Sequence, residues 1–244
     1  MKLIIVKFYR LFLLINLWIS KNFFYSVCYF YRIVHIKAFN FIKSLKKDFS
    51  PIRGKIDSTL GKIENLDKEI LINKKYKKYY YLKKMPSFLI DIVNYNKNEI
   101  IGYLGKNFVY ENPGYYETFA VPDDFKHFDI YSNVWHLDSD TYKVLKVFVL
   151  TCDVSIKDGP LVYLDKFNTE KNWDLLSERG NNNAIKEFGE QEKFIGEKGN
   201  YLIIDTSRNL HRATPPSNMR SMISLSLYPS FVPSQDINRY EWKF

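Results

Sequence analysis

The sequence predicts a mainly β domain preceded by helices. Seven short extended runs follow residue 99, and turn-forming residues separate them. The polar segment 168–198 is the one long interruption, and its pattern is partly helical. Short strands without alternating helices favour a sandwich or barrel over a parallel α/β sheet. We therefore expect a basic, aromatic-rich helical region over residues 1–84 and a β domain over residues 85–244.

Residues 1–47 mix aromatic and aliphatic side chains with cations. The longest apolar run, Leu11 to Ile19, is far shorter than the ~20 residues that a bilayer-spanning helix needs. Ser20 to Phe23, which follow it, do not form a convincing signal-peptide cleavage site. The composition fits helices lying in a membrane interface, and it fits equally well a helical layer packed on the β domain. Both interpretations stay open.

Positive charge is concentrated in the N-terminal region. The whole chain has a net charge of +9, and residues 1–84 hold 19 Lys and Arg against 5 Asp and Glu. The remaining 160 residues hold 17 Lys and Arg against 22 Asp and Glu. Because phosphate binding needs basic residues beside the site, this division argues against nucleic acid as a partner of the β domain.

Cysteine usage bears on the compartment. Cys28 and Cys152 lie far apart, which fits neither a zinc site nor a disulfide framework. We expect a reducing, cytoplasmic location. This expectation leaves open a peripheral membrane contact through residues 1–47.

The next segment, Asp48 to Lys84, reads as a linker followed by a solvated basic face. Pro86 then precedes a helical pattern from Ser87 to Tyr95, with apolar residues at the spacing of one helix face. The expected strands after it are Phe108 to Glu111, Tyr115 to Val121, Ser132 to Asp138, Val144 to Asp153, Gly159 to Leu164, Asn200 to Asp205 and Ser221 to Tyr228.

The third expected strand carries a candidate metal site. Side chains two apart in a strand point to the same face, so His136 and Asp138 project side by side. His211 supplies a second imidazole much later in the chain. Two imidazoles and one carboxylate on one face of a metal leave three positions open, as in the facial triad of non-haem Fe(II) oxygenases.

Arg220 extends this pattern. It lies nine residues after His211, at the head of an alternating run. Its planar guanidinium matches a carboxylate, so it is suited to clamp the far end of a dicarboxylate whose 2-oxo acid end chelates the metal.

Several motifs around these residues resemble the phytanoyl-CoA dioxygenase family of Fe(II)- and 2-oxoglutarate-dependent oxygenases. The resemblance covers roughly residues 100–230, and Arg220 follows at the spacing that the family uses. After Pro160 the chain departs from the family's usual Pro-Gly-Ser-His turn. The matching stretches are Trp135 to Asp138, Leu145 to Phe148, Asp158 to Leu161 and Gly199 to Arg212.

The resemblance implies a double-stranded β-helix, a jelly roll related to the cupins. It implies that His136, Asp138 and His211 are iron ligands and catalytic residues, with 2-oxoglutarate and dioxygen as co-substrates. Halogenating members lack the carboxylate ligand, so Asp138 favours hydroxylation of an unactivated C–H bond in a small metabolite, lipid or sugar-type substrate. Lys146 and Tyr163 are candidates to reach the co-substrate or line the pocket. The alternative is that both side chains pack on a sheet face with their polar tips at its rim.

Two other functions stay open on the sequence. One is a non-catalytic jelly roll that serves as a binding module. The other is a membrane-surface adaptor that acts through the N-terminal region. Of the remaining histidines, we expect His127 in a surface loop and His35 away from the site.

Overall fold

The computed structural model describes residues 48–56, 66–125, 132–138, 143–172, 190–230 and 239–243. Apart from Asp48, these residues belong to the compact unit Phe49–Phe244. The helices and membrane contact expected in residues 1–47 lie outside the described residues, as do His35 and His127. Within the described ranges, no helix is long and apolar enough to cross a membrane.

The described elements are mainly strands. The helices are α1 (Ser87–Tyr95), α2 (Lys97–Leu104) and α3 (Lys166–Lys171). The strands are β1 (Ile52–Lys55), β2 (Lys68–Lys74), β3 (Lys77–Leu82), β4 (Phe108–Glu111), β5 (Gly114–Thr118), β6 (Leu145–Leu150), β7 (Leu161–Tyr163), β8 (Glu192–Phe194), β9 (Asn200–Asp205), β10 (His211–Ala213), β11 (Arg220–Pro229) and β12 (Arg239–Glu241).

These strands form two antiparallel sheets. The larger sheet has nine strands in the order β1-β9-β6-β11-β5-β3-β2, and β4 pairs with β11 and β12. The smaller sheet has the order β10-β7-β8. From β6 to β11 the chain passes repeatedly between the sheets, since β6, β9 and β11 lie in the larger one and β7, β8 and β10 in the smaller one. The predicted double-stranded β-helix is therefore confirmed.

Strand β6 shows that the larger sheet is covered on both faces. Alternate residues of a strand point to opposite faces. On one face, Leu145, Val147 and Val149 pack with residues of α1 and α2 in what we call the outer cluster. On the other face, Phe148 and Leu150 belong to the cluster between the two sheets. A strand that is covered on both faces reads as a nearly continuous apolar run, as this one does.

Helix α1 has the predicted bounds. Pro86 stands at its N-cap, where its missing N–H removes no helical hydrogen bond. The buried residues of α1 are those of the expected apolar face: Phe88, Leu89, Ile92 and Val93.

The N-terminal boundary differs from the prediction. Strands β1, β2 and β3 fall within residues 1–84, where helices, a linker and a solvated face were expected. Strand β1 pairs with β9, and β3 pairs with β5, so both extend the larger sheet. Tyrosines occupy both faces of β3, which removes the two-residue alternation that marks a half-buried strand.

Two further expectations change. The segment Ser132 to Asp138 is not a regular strand, and its pairing is an isolated antiparallel bridge between His136 and His211. The insert 168–198 contributes most of α3 at one end and β8 at the other, while residues 173–189 lie outside the described ranges.

Candidate metal centre

His136, Asp138 and His211 converge on one point, although 73 residues separate Asp138 from His211. Their candidate ligand atoms all lie within 4.8 Å of one another. Nε2 of His211 is 3.9 Å from Oδ2 of Asp138, and the two imidazole ring centroids are 4.3 Å apart. Ligands bound at roughly 2 Å from a common metal ion need this kind of proximity.

Backbone hydrogen bonds bring the three residues together. The amide N–H of His136 donates to the carbonyl of His211 at 3.1 Å, and the amide of His211 donates back to the carbonyl of His136 at 3.1 Å. The amide of Asp138 donates to the carbonyl of Thr206 at 2.9 Å. The segment 136–138 is thus held against β10 and against the turn after β9.

Both imidazoles are oriented by carbonyl groups two residues earlier in the chain. Nδ1 of His136 lies 2.9 Å from the carbonyl oxygen of Val134, and Nδ1 of His211 lies 3.0 Å from that of Asn209. Because a carbonyl oxygen can only accept, each Nδ1 carries the proton and each Nε2 keeps its lone pair for a metal.

Asp205 organises the turn that leads to His211. Its Oδ1 accepts from the amide of Ser207 at 2.9 Å and from the hydroxyl of Ser207 at 2.6 Å. Its Oδ2 accepts from the hydroxyl of Tyr103 on α2. This buried carboxylate therefore ties the turn between β9 and β10 to the helical layer.

Burial and one lysine set the charge of the centre. Burial alone would raise the pKa of Asp138, but the ammonium of Lys146 and the imidazole of His211 hold it well below its usual range. Burial lowers the pKa of His211 to about 4, although Asp138 opposes this shift. The carboxylate is therefore ionised and the imidazole neutral near pH 7, which are the states that bind a metal.

Asp138 also shows that these residues fit a cation. Nζ of Lys146 lies 2.8 Å from Oδ2 of Asp138. This oxygen is buried, and the ammonium balances its charge. A buried carboxylate is unfavourable unless a cation lies beside it, so the carboxylate is held ionised at this position. The set of two imidazole nitrogens and one carboxylate suits a divalent transition metal.

An open cavity of about 630 Å³, including the part open to solvent, adjoins the centre. His211 of the smaller sheet and His136 of the segment bridged to it line the cavity on one side, and Lys146 and Arg220 line it from the larger sheet. The remaining described residues that line it are Lys77, Tyr116, Thr118, Ser132, Phe148, Leu161, Ala213 and Met222.

Arg220 begins β11 and is almost fully buried, with 3% of its surface exposed. Its Nη1 donates to the carbonyl of Thr214 at 3.4 Å. Arg212 lies on β10 next to His211, so its side chain points to the other face of the smaller sheet, and its guanidinium stacks on Trp135 at 4.8 Å. Among the arginines in the described part of the chain, Arg220 is thus the one that lines the cavity.

Tyr163 is placed differently from the expectation. It is not among the described residues that line the cavity. Its ring packs in the cluster between the sheets, and its hydroxyl accepts from Nη2 of Arg53 at 3.0 Å. The structure therefore assigns Tyr163 the packing role that the sequence left as the alternative.

Sequence reasoning missed Lys77, Tyr116 and Thr118 at the cavity. Lys77 was placed on a solvated basic face, yet it begins β3 and lines the cavity. Tyr116 and Thr118 lie two apart on β5, a spacing that would have placed them on one face once β5 was paired.

No protein-family model matches the sequence, and no curated protein matches it. Among solved structures, HygX from Streptomyces hygroscopicus with nickel and 2-oxoglutarate bound is similar, with 11% identity, a TM-score of 0.49, and coverage of 75% of this chain and 84% of that chain. A prolyl hydroxylase from Trichoplax adhaerens, in complex with a hypoxia inducible factor peptide fragment, gives 13% identity, a TM-score of 0.44 and coverage of 65% and 67%.

An oxidoreductase of the 2OG-Fe(II) oxygenase family from Burkholderia pseudomallei gives 9% identity, a TM-score of 0.43 and coverage of 72% and 78%. These similarities are too low to define the chemistry of this chain. That chemistry rests on its own residues.

Proposed function

We propose that this protein is an Fe(II)- and 2-oxoglutarate-dependent dioxygenase that hydroxylates an unactivated C–H bond of a small molecule. The observation that carries the proposal is the convergence of His136, Asp138 and His211 within 4.8 Å at the wall of a cavity. Three ligands on one side of a metal leave positions for a bidentate co-substrate and dioxygen, which a closed four-ligand site would not.

The bound iron would couple oxidative decarboxylation of 2-oxoglutarate by dioxygen to oxidation of the substrate, giving succinate, carbon dioxide and the hydroxylated product. The protein supplies the ligand geometry. The carbonyls of Val134 and Asn209 hold both imidazoles with Nε2 available, and the amide of Asp138 is fixed by Thr206. Positioning of this kind is the protein's part in cofactor chemistry.

Arg220 is proposed to bind the distal carboxylate of 2-oxoglutarate. It is buried in the cavity wall on the larger sheet, whereas the imidazoles come from β10 of the smaller sheet and from the segment bridged to it. A dicarboxylate can therefore span the cavity with one end at the metal and the other at the guanidinium. Lys146 is proposed to keep the Asp138 carboxylate in place and to face the metal-binding end of the co-substrate.

Membership of the phytanoyl-CoA dioxygenase family is part of the proposal, on the motifs that carry the resemblance. Asp138 supports hydroxylation over halogenation, because a halide would need the coordination position that this carboxylate takes. We assign the primary substrate to small metabolites, lipids or sugar-type molecules.

Oxygen-dependent succinate formation tests the proposal. The full chain, reconstituted anaerobically with Fe(II), is expected to release succinate from 2-oxoglutarate only after dioxygen is admitted. The His211→Ala variant with the same iron load added is the control. Metal and 2-oxoglutarate binding without succinate release, across a panel of candidate substrates, would favour the non-catalytic binding module instead.

A cytoplasmic location with peripheral membrane contact is a separate proposal for residues 1–47. Each Lys or Arg near an anionic bilayer contributes about 1 kcal/mol, and salt screens this attraction. The full chain is expected to co-sediment with anionic liposomes at low salt, and a chain that begins at Phe49 is not. Equal sedimentation of both would contradict the contact.

A further inference from the structure

Lys77 lies in a row of side chains that crosses three neighbouring strands. It is paired with Thr118 of β5, and Thr118 is paired with Arg220 of β11. Directly paired residues of neighbouring strands point to the same face of a sheet. Lys77, Thr118 and Arg220 therefore form one row on the inner face of the larger sheet, and all three line the cavity.

Two further observations fix the direction of the Lys77 side chain. Its Nζ lies 5.8 Å from the ring centroid of Tyr116, a residue that itself lines the cavity. Lys77 is also the first residue of β3, and the amide of Phe119 donates to the carbonyl of Tyr76 at 3.0 Å, which anchors the turn before it. The ammonium therefore faces inward from an anchored strand end.

The spacing of the row suits one carboxylate between two cations. Neighbouring strands lie about 4.8 Å apart, so the Cα atoms of Lys77 and Arg220, two strands apart, are separated by about 10 Å. Both side chains are long enough to approach one anion from opposite sides, with the hydroxyl-bearing Thr118 between them. This hydroxyl donates to the carbonyl of Arg220 at 3.2 Å, which holds the row together.

We propose that Lys77 is a specificity-determining residue that binds the distal carboxylate of the 2-oxo acid together with Arg220. This inference rests on the proposed function and adds to it that the site selects a dicarboxylate with two cations. One of them comes from β3, a strand outside the motifs that carry the family resemblance. A 2-oxo acid that lacks the distal carboxylate makes no ion pair with Lys77 or Arg220.

The test compares two 2-oxo acids on the Ni(II)-loaded, full-length protein without oxygen. 2-Oxoglutarate and 2-oxopentanoate share the metal-chelating end and the five-carbon length, but only the first has a distal carboxylate. Calorimetry gives the ratio of their dissociation constants. The Lys77→Met variant is expected to lower this preference for 2-oxoglutarate by about tenfold, the loss of one charge-assisted contact, while leaving 2-oxopentanoate binding unchanged.

Lys78→Met is the matched control. Lys78 is the next residue of β3, is paired with Glu117 on the outer face, and places its Nζ 5.3 Å from the ring of Phe119. This variant is expected to keep the wild-type ratio. Lys77→Arg keeps a positive charge and is expected to retain most of the wild-type ratio. If the lysine acted only through its apolar stem, Lys77→Met would also retain the ratio, because the methionine side chain supplies a similar stem.

The outcomes separate this inference from the proposed function. A wild-type protein that binds Ni(II) but neither 2-oxo acid overturns both. A wild-type protein that prefers 2-oxoglutarate, with the same preference in Lys77→Met, overturns the role of Lys77 alone. Equal thermal midpoints of Lys77→Met and wild type exclude misfolding as the cause of a lowered ratio.

Discussion

The two sheets contribute different halves of the site. The smaller sheet and the segment bridged to it supply the imidazoles, and His136, which bridges to His211 of β10, stands outside any regular strand. The larger sheet supplies the cations, and Arg220 stands on a ten-residue strand that is paired on both sides. The proposed metal ligands are therefore placed by a few backbone hydrogen bonds, whereas the proposed anion-binding residues are placed by an extensive sheet. The predictions below test whether these halves are separable.

The largest expected effect is the loss of metal binding on changing Asp138. Asp138→Asn keeps the shape but removes the charged ligand, so Ni(II) affinity should fall by more than the ten- to hundredfold typical of outer-shell changes. Calorimetric titration measures it. Asp153→Asn makes the same change at an exposed residue and should bind Ni(II) like wild type. Retained affinity in Asp138→Asn would remove this carboxylate from the ligand set.

The larger sheet is destabilised most directly through the hydrophobic cluster on its outer face. Leu89 of α1 is fully buried in the outer cluster, so Leu89→Ala should lower the free energy of unfolding by about 2 to 5 kcal/mol. Denaturant titration measures this change. Ile90, which is 38% exposed on the same helix, is the control position, and Ile90→Ala should have a small effect. Below the unfolding transition, Leu89→Ala should still bind Ni(II) normally; weakened binding would show that the halves are coupled.

Replacing Arg220 should separate the anion end from the metal. Arg220→Met is expected to weaken 2-oxoglutarate binding to the Ni(II)-loaded protein by roughly ten- to a hundredfold, the worth of a charge-assisted contact, with Ni(II) affinity unchanged. Arg212→Met changes the arginine stacked on Trp135 and should leave 2-oxoglutarate affinity as it is. If the two variants behave alike, Arg220 does not recognise the carboxylate.

The smallest expected effect, taken over any single pH unit, is a pH dependence of the metal-free protein. The pKa of His211 falls from 6.5 to about 4 on folding. Between these values the unfolded chain binds a proton that the folded chain does not, so stability declines as pH falls through this window, by at most about 1.4 kcal/mol per pH unit. Denaturant titrations at several pH values measure the slope. The slope of stability against pH should be shallower in His211→Gln. An equal slope in this variant would show that other titrating groups cause the pH dependence.

The closeness of His136 and Asp138 could be predicted from the sequence because their spacing is local. The two-residue spacing of His136 and Asp138 places both side chains together whether the segment is a regular strand or, as found, an extended stretch with one bridge. The bounds of α1 were also readable, since Pro86 and the apolar spacing mark them without reference to the rest of the chain.

The cavity-lining cation on β3 could not be predicted in this way. The position of Lys77 depends on pairing between β3 and β5, and β2, the other neighbour of β3, shows no regular burial alternation. The place of Tyr163 depends on Arg53, which is 110 residues away in sequence. Contacts set by distant pairing leave no periodic signal near the residue itself.

The bridge between His136 and His211 links metal binding to local opening. Two backbone hydrogen bonds join residues that are 75 positions apart, and the same residues offer both imidazole ligands. A metal ion bound by both rings adds a second link between the ends of this loop, beside the two hydrogen bonds. Metal binding therefore stabilises the closed bridge by mass action. Opening the bridge separates the ligands and lowers the metal affinity. The amide protons of these two histidines should therefore exchange with solvent more slowly as metal is added, making local hydrogen exchange a measure of site occupancy.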